Sequence, residues 1–557
     1  MSKNLLSDAL SEALASAQRN GELPGDLSVA AELQPPRDRR WGDFSTNLPM
    51  VIASAASRKP GEVAEIILRH LRLPEGVVDR VEVAGAGFIN FGLSPAWLRG
   101  VVRRVLEEGD EFGRSDVGEG KRLLLEFVSA NPTGPVAVVQ GRAAAIGDTL
   151  AHLLERTGWQ VAREYYVNDA LNSTQVRRFA ETLEARYFQH FGREAVVPED
   201  GYQGDYVIAM AEALVAEVGD AYLEMPEEER RAALYDYSLR KIVENQQADM
   251  CAFGVRFDTW FHESWLYERG EVDAAMEELR RRGHTYESEG ALWFRATAFG
   301  DDQDHVLIRS DGRPGYVAAD IAYHKNKFGR GFDRLIDIWG PDHHGHVVRL
   351  KAGVQALGYD PDRFEILIHQ IVRLFRGSEM VRMSKRAGDI IPLSGLIEDV
   401  GTDAARFFFL MQSLGSHLDF DLELAKKQAA ENPVYYVQSA HARICSILRS
   451  AEERGAPLPE IRDVDLSLLG EPDELEVMRK LAELPDEIAQ AAARYEPHRM
   501  TRYARELAAT FHGFYTNCRV LGDDPALTAA RLSLVTAARM VLGAVLHLLG
   551  ISAPERM

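Results

Sequence analysis

Four side chains in this sequence have the types and spacing needed to bind a cation that offers many hydrogen-bond donors. Glu126 and Asn131 lie five residues apart around the end of an apolar run, and Tyr316 and Asp320 lie four apart, on one face if their segment is helical. Two carboxylates, a phenol and an amide in one pocket would suit a guanidinium group best, because it presents five N–H donors in a planar fork. Helix caps and surface ion pairs are the alternative explanation.

A second group of residues has the chemistry of a mobile phosphate clamp. Met383, Ser384 and Lys385 follow an apolar segment and lie between Gly377 and Gly388. An ammonium group on a glycine-flanked loop can follow negative charge as it builds on a departing pyrophosphate. An ordinary basic surface loop remains the alternative.

The turn that follows the first apolar run is typical of a nucleotide site. Residues 131–135 read Asn-Pro-Thr-Gly-Pro and lead into a helical pattern, which sets backbone N–H groups and a helix N-terminus at the end of a strand. Neither GxGxxG nor GxxxxGK[ST] follows the strand, so dinucleotide and P-loop sites are weakly supported. A plain strand–helix connection is the alternative.

Three histidines and an aspartate lie within residues 342–346, in the order Asp-His-His-Gly-His. Such a group could bind a metal ion, but adjacent ligands on one tight turn seldom converge on a single ion. We therefore predict no metal site here and expect His343 to contact a nucleotide from a loop at the end of a strand.

The elements that must position these side chains form a strand–helix alternation. An apolar strand at 122–130, a helix at 141–157 and a strand at 160–169 make a βαβ unit, and the alternation returns at 332–375. The sequence thus predicts an α/β fold with a Rossmann-like, doubly wound parallel sheet.

The rest of the chain divides around this sheet. We predict a small N-terminal α/β add-on domain at 1–112, a catalytic domain at 120–400 with a mostly helical insertion at about 175–300, and an all-α helical bundle at 401–557.

Composition sets the broad class. Apolar residues make up 46% and charged residues 27%, as in globular proteins, and the net charge of −21 argues against general nucleic-acid binding while leaving local basic faces possible. Three scattered cysteines favour a reducing compartment. The start of the chain lacks the apolar core of a signal peptide, and the apolar stretch at 540–552 is short for a membrane span. We expect a soluble cytoplasmic protein with no membrane partner.

Taken together and in this order, the motifs resemble those of class I aminoacyl-tRNA synthetases and, within that class, the arginyl-tRNA synthetase family. The resemblance runs from end to end. The stretches that carry it are WGDFSTNLPM at 41–50, EFVSANPTGP at 126–135, DIWGPDHHGH at 337–346, RMSKRAGD at 382–389 and NPVYYVQSAHARI at 432–444.

The resemblance implies a role for each candidate residue. Glu126, Tyr316 and Asp320 would hold the guanidinium of arginine, Asn131 would bind its α-amino group, and Lys385 would contact the phosphates of ATP, which arrives with Mg²⁺. Lys385, Ser384 and Gln140 are the expected catalytic residues. The expected ATP contacts are Asn131, Pro132, Thr133, Gly134, Gln140, Gly141, His343, Met383 and Lys385.

One motif departs from the family pattern. The family's first signature, His-x-Gly-His, is replaced here by Ala137-Val138-Val139-Gln140. Val139 puts a branched side chain where adenine is expected to approach the backbone, and Gln140 can donate through its amide but carries no charge.

The resemblance therefore implies an ATP-dependent arginine–tRNA ligase that acts as a monomer on arginine, ATP and an arginine-accepting tRNA. A catalytically degenerate relative that only binds tRNA or arginine is the alternative suggested by the altered signature. A metal hydrolase built on the three histidines would leave the other motifs unexplained.

Overall fold

The computed structural model describes most of the chain. The described residues are 2–27, 29–36, 38–170, 173–377, 379–381, 391–456 and 460–557. Met383, Ser384 and Lys385 fall outside them.

The N-terminal unit is a three-stranded antiparallel sheet, in the order β1-β3-β2, covered by helices. Strands β2 and β3 are consecutive and antiparallel and form a hairpin. The last helix of this unit, α4, begins at Pro95. Ser94 caps it, because Ser94 Oγ accepts a hydrogen bond from the Trp97 amide. The elements are α1 Ser2–Arg19, β1 Phe44–Thr46, α2 Leu48–Ile52, α3 Pro60–His70, β2 Val78–Ala84, β3 Phe88–Leu93 and α4 Pro95–Glu108.

The catalytic unit is built on a five-stranded parallel sheet in the order β11-β10-β4-β5-β6. The predicted strand–helix–strand unit is confirmed as β4, α5 and β5. The elements are β4 Arg122–Ala130, α5 Val138–Arg156, β5 Gln160–Val167, α6 Thr174–His190, α7 Asp205–Val218, α8 Glu227–Ala252, β6 Thr259–His262, α9 Ser264–Glu268, α10 Glu271–Arg281, β7 Thr285–Ser288, β8 Ala291–Phe294, β9 His305–Ile308, α11 Tyr316–Gly329, β10 Arg334–Trp339, α12 Val347–Ala356 and β11 Phe364–Ile368.

The strand order reverses between β4 and β10. From β4 the chain continues to β5 and β6 on one side, whereas β10 continues to β11 on the other. A crevice therefore opens beyond the carboxyl ends of β4 and β10, where ligands bind in sheets of this kind. The turn at 131–137 and the turn at 340–346 both lie at this edge.

The segment predicted as a helical insertion is mostly helical but is not wholly an insertion. Strand β6 within it joins the main sheet beside β5, and β7, β8 and β9 form a separate antiparallel sheet. The sequence pattern missed β6 because a four-residue edge strand between long helices leaves little periodic signal.

The last part of the chain is a helical bundle preceded by a small three-stranded sheet in the order β13-β12-β14. Strand β14 is an exception to the all-helical pattern predicted from residue 401. The elements are β12 Val372–Arg376, β13 Glu379–Val381, α13 Leu393–Val400, α14 Thr402–Leu410, β14 Leu418–Asp421, α15 Leu422–Lys426, α16 Pro433–Glu453, α17 Pro472–Arg494, α18 His498–Asn517 and α19 Pro525–Leu548.

Helix α5 joins the catalytic sheet to this bundle. It packs on β4 and also contacts α14, α17 and α19, and one continuous apolar core runs through all three parts of the molecule. Gly147 allows the close approach to the sheet, because a Cβ there would come within 2.1 Å of the Phe127 ring.

Helix α19 is the one helix of the described chain that is long and apolar enough to cross a membrane by length and composition. The apolar stretch at 540–552, predicted to be too short, is the end of this longer helix. In the bundle 67% of its most apolar window is buried, and this burial accounts for its composition.

Candidate active site at the carboxyl edge of the parallel sheet

The turn after β4 is held in place by helices on the far side of the crevice. The Tyr206 hydroxyl donates to the Thr133 carbonyl at 3.0 Å, and Gln246 Nε2 donates to the Gly134 carbonyl, also at 3.0 Å. These contacts fix the Asn-Pro-Thr-Gly-Pro turn from behind. A phosphate group would therefore meet a preorganised backbone.

Strand β4 ends in an irregular backbone. The pairing register with β5 shifts between Glu126 and Ser129, and Val128 has φ 72°, which is a strained value for a β-branched residue. This bulge redirects the chain just before Asn131. The Asn131 side-chain amide donates to Gln175 Oε1 at 2.7 Å.

The altered signature forms the first turn of α5. Gln140 Oε1 accepts a hydrogen bond from the Ala137 amide at 2.8 Å, so this side chain caps the helix to which it belongs. With its oxygen used in this way, the Gln140 amide group can still donate hydrogen bonds. Ala137 is 7% exposed and forms a β-bridge with Pro392, so a side chain larger than alanine would have to displace neighbouring atoms.

Gly141 has a packing role. Its amide donates to the Ala137 carbonyl at 3.1 Å, and a Cβ at this position would lie 2.5 Å from Leu393 Cδ1. The glycine is thus needed for the contact between α5 and α13. Leu393 N donates to the Val136 carbonyl at 2.8 Å. The chain from residue 391 onward, where the described residues resume after Lys385, therefore lies against the start of α5.

Three acidic residues lie side by side across the sheet beneath the crevice. Asp337 on β10 pairs with Glu126 on β4, and Glu126 pairs with Glu164 on β5. The buried Lys327 of α11 donates to Glu126 Oε2 at 2.5 Å and to Asp337 Oδ1 at 2.7 Å. Arg330 of the same helix donates to both oxygens of Glu164. Helix α11 therefore supplies the counter-charges for this row.

Glu126 is thus already engaged by a cation of the chain itself. Burial raises its pKa to about 7, and Asp337 adds to the rise, while Lys327 opposes it. The sequence assigned this carboxylate to an external guanidinium. The structure instead shows one of its oxygens bound to Lys327.

Two further carboxyl groups, Glu263 and Asp320, lie near Glu126 around Tyr166 but have no such partner. Burial, and then the neighbouring Asp320, raises the pKa of Glu263 to about 7, while a hydrogen bond with Tyr166 opposes the rise. Burial also raises the pKa of Asp320. Neither residue is ion-paired with a side chain that the structure describes. A cation bound between them would restore their charge balance.

Sequence analysis missed Glu263, which directly follows β6. The signal available was its position: a polar residue directly after a strand lies at the carboxyl edge of a parallel sheet, as Asn131 does after β4. The buried Asp169 fixes this segment, because it accepts from the Ser264 amide at 3.0 Å and binds His262 Nδ1 at 2.6 Å.

Tyr316 and Asp320 lie on one helix, α11, as their spacing predicts, but in different surroundings. Tyr316, in the first turn of α11, is 79% exposed, whereas Asp320 lies one turn further into the protein. The structure therefore brings together Asp320 and Glu263 and leaves Tyr316 at the rim.

The histidine-rich turn is a short 3₁₀ helix, Pro341–His346, at the carboxyl end of β10. His343 is exposed, with its ring 5.5 Å from His346 and 5.8 Å from Trp339. No group of three His, Cys, Asp or Glu side chains suited to a metal ion is found among the described residues.

Two larger surface pockets lie away from this edge. A groove of about 1100 Å³ in the bundle is lined by Tyr435, Tyr515 and five arginines, which are Arg443, Arg449, Arg454, Arg519 and Arg556. A second pocket, of about 640 Å³, lies on the N-terminal unit between Trp41, Phe88 and Asn90. Cationic grooves and exposed aromatic rings are typical of surfaces that bind single-stranded nucleic acid.

Comparison with known proteins gives matches along the whole chain. A family model described as class I tRNA synthetases (R), catalytic domain, matches residues 101–409. Models described as arginyl tRNA synthetase N terminal domain and DALR anticodon binding domain match 3–93 and 437–557.

Similar curated proteins include the arginine–tRNA ligase of Moorella thermoacetica, which is 51% identical over 100% of this chain and 99% of its own. That of Heliobacterium modesticaldum is 50% identical over 99% and 98% of the two chains. Among solved structures, arginyl-tRNA synthetase from Thermus thermophilus has the same fold, with a TM-score of 0.77 and 24% identity over 99% of this chain and 100% of that one.

Proposed function

The chain belongs to the arginyl-tRNA synthetase family of arginine–tRNA ligases, and we propose that it carries out the ligation in the crevice between β4 and β10. Arginine, ATP and tRNA are the substrates of this family. The close, full-length similarity to ligases supports an active enzyme rather than a degenerate relative.

The observation that carries the proposed arginine site is the pair Asp320 and Glu263, a half-buried and a buried carboxyl group without an ion pair in the described structure. A guanidinium group would form charge-assisted hydrogen bonds with both. Tyr316 would close over the bound side chain from the rim. We assign the α-amino group of arginine to Asn131. Glu126, bound to Lys327, would shape the pocket from beneath.

ATP would bind with its phosphates at the start of α5, held by the turn of Pro132, Thr133 and Gly134 and by the Gln140 amide. His343 would contact the nucleotide from the turn after β10. Met383, Ser384 and Lys385 would approach from the segment that ends against α5. Mg²⁺ would arrive with ATP and screen its charge.

The reaction then needs no protein base. The arginine carboxylate attacks the α-phosphorus, the bond to the bridging oxygen breaks, and pyrophosphate leaves with that electron pair. Lys385 would stabilise the charge on the leaving group. In the second step a 3′-terminal ribose hydroxyl attacks the arginyl carbonyl carbon, AMP leaves and the hydroxyl proton is lost. The protein contributes position and electrostatic stabilisation.

We propose that the tRNA extends from this crevice over the N-terminal unit and the arginine-lined groove of the bundle. The boundaries 1–112, 120–400 and 401–557 remain our proposed domains. We also propose that the protein acts as a monomer. Three cysteines without a disulfide support a cytoplasmic setting.

Charging of tRNA by purified protein tests this function. We expect labelled arginine to be incorporated into acid-precipitable tRNA only when ATP is present. Labelled lysine should not be incorporated in its place. The ammonium group of lysine cannot reproduce the planar arrangement of N–H donors in the guanidinium group of arginine. Charging with lysine at a comparable rate would contradict the proposed pocket.

A further inference from the structure

A small cavity opens beside the arginine pocket and has a strongly cationic lining. It has a volume of about 290 Å³ and lies where the end of β9 meets the starts of α11 and α12. Its polar side chains come from Arg309, Tyr316, His346 and Arg349. No acidic residue contributes to this lining among the residues that the structure describes.

The two arginines of this cavity differ from a nearby arginine in forming no ion pair, although Arg349 lies near Asp320 and Arg309 lies near Asp311. Within the described chain, neither Arg309 nor Arg349 forms an ion pair, whereas the nearby Arg313 donates to Asp311 Oδ2 at 2.5 Å. In a chain with a net charge of −21, two unpaired guanidinium groups on one cavity form a local site for an anion.

The position of the cavity relates it to the transfer step. Tyr316 lines it from the first turn of α11, and Asp320 lies one turn further along that helix. Arg349 lies close enough to lower the pKa of His346 and to oppose the rise in the pKa of Asp320. The cavity is thus adjacent to the pocket assigned to arginine. The phosphates of ATP are assigned to the start of α5 instead.

We propose that Arg309 and Arg349 bind a phosphodiester group of the single-stranded 3′ end of tRNA. The ligation requires the terminal ribose to reach the arginyl carbonyl carbon, so the preceding backbone phosphates must pass the mouth of the arginine pocket. Guanidinium groups bind phosphate oxygens through paired hydrogen bonds. This inference rests on the proposed function and adds the residues that guide the acceptor end.

Arg309→Ala is the test variant, because Arg309 is exposed and its loss should leave the fold intact. Arg313→Ala is the matched control, since Arg313 is exposed in the same turn but already paired. Equilibrium binding is measured with intact tRNA and with tRNA lacking its last four nucleotides.

We expect Arg309→Ala to weaken binding of intact tRNA about five-fold and to reduce the slope of log affinity against log salt by about 1. With truncated tRNA the variant and the wild type should bind equally, and Arg313→Ala should match the wild type on both. Arg349→Ala should weaken the binding of intact tRNA by a similar factor and should also raise the KM for arginine.

Equal binding of intact tRNA by Arg309→Ala and wild type would overturn the inference, and so would equal weakening on both tRNAs. A raised KM for ATP with unchanged tRNA affinity would assign the cavity to the triphosphate instead. Charging by the wild type is measured in the same preparation. Its absence would count against the proposed function, while the binding comparison still decides the role of Arg309.

Discussion

Asp320 and Glu263 are the residues on which arginine recognition depends in this account. Both carboxyl groups have raised pKa values because burial disfavours their charged forms. Arginine would supply a cation bound directly to both carboxyl groups. The binding free energy therefore depends on the charge state of each carboxyl.

Asp320→Asn should weaken arginine binding while leaving ATP binding unchanged. The variant keeps the shape of the side chain but removes one of the two carboxylates that would bind the guanidinium, which costs roughly 3 kcal/mol or about a hundred-fold in affinity. Steady-state charging kinetics would show this as a higher KM for arginine. Asp311→Asn, at an exposed turn, is the control, and an unchanged KM in Asp320→Asn would remove this residue from the pocket.

Arginine binding should strengthen as the pH rises through 7. The pKa of Glu263 is raised to about 7 in the free protein, and the guanidinium prefers its ionised form. Binding below pH 7 must therefore release a proton, and above about pH 8 the dependence should level off. Calorimetry in buffers of different ionisation enthalpy measures that proton. Glu263→Gln should abolish the proton release, and an unaltered release would assign it to another group.

At the scale of elements, α5 connects the proposed phosphate site to the rest of the fold. Its first turn is capped by Gln140, its middle packs on β4 through Gly147, and its last turns contact the bundle. Helix N-termini attract anions through unpaired N–H groups and the helix dipole. The backbone N–H groups at the start of α5 can thus supply hydrogen bonds that the signature histidines would otherwise donate to phosphate.

Gln140→Glu should separate the stability of α5 from its role in catalysis. A glutamate keeps the acceptor for the Ala137 amide and interacts favourably with the helix N-terminus, so thermal unfolding should change little. Its negative charge would oppose the phosphates of ATP. We expect kcat for charging to fall at least about ten-fold, near the effect of losing one oxyanion donor. A wild-type kcat would show that the phosphates lie elsewhere.

Sequence patterns predicted the elements with strong periodicity and missed contacts between distant elements. Strand β4 follows from the mainly apolar run at 122–130, which Glu126 interrupts. The pairing of Glu126 with Lys327 does not, because the two are 201 positions apart and only the packing of α11 on the sheet joins them. Glu263 was missed for the same reason, because only the packing of distant elements brings it close to Asp320. The segment with Lys385 lies outside the described residues, so its assignment stays a prediction.

At the scale of the whole molecule, the helical bundle is not a separate body. Arg406 on α14 donates to Asp148 of α5 at 2.6 Å and to the Leu549 carbonyl at 3.0 Å, entirely out of water. The sequence predicted an all-α helical bundle from residue 401, and this division stays our proposed domain boundary. The shared core and this buried ion pair tie the bundle to α5, the helix to which we assign the phosphates of ATP.

Arg406→Ala should strongly destabilise the protein. Removing one partner leaves Asp148 buried and uncompensated, which costs roughly 3–5 kcal/mol. Chemical denaturation should show a lower free energy of unfolding or early loss of the bundle. Arg373→Ala is the control, since Arg373 forms an exposed pair with Asp419 and should change stability by less than about 1 kcal/mol. Equal effects of the two variants would contradict the role of this buried pair.

The central claim is that this chain charges tRNA with α5 backbone amides and Gln140 in place of the signature histidines. The most direct measurement is kcat for arginine charging by the wild type beside the triple variant Ala137→His, Val139→Gly, Gln140→His. We predict measurable charging by the wild type and a lower rate in the variant, because Ala137 is packed against Pro392 and overpacking costs about 1–3 kcal/mol. No charging by the wild type, with activity restored by the triple change, would contradict the claim.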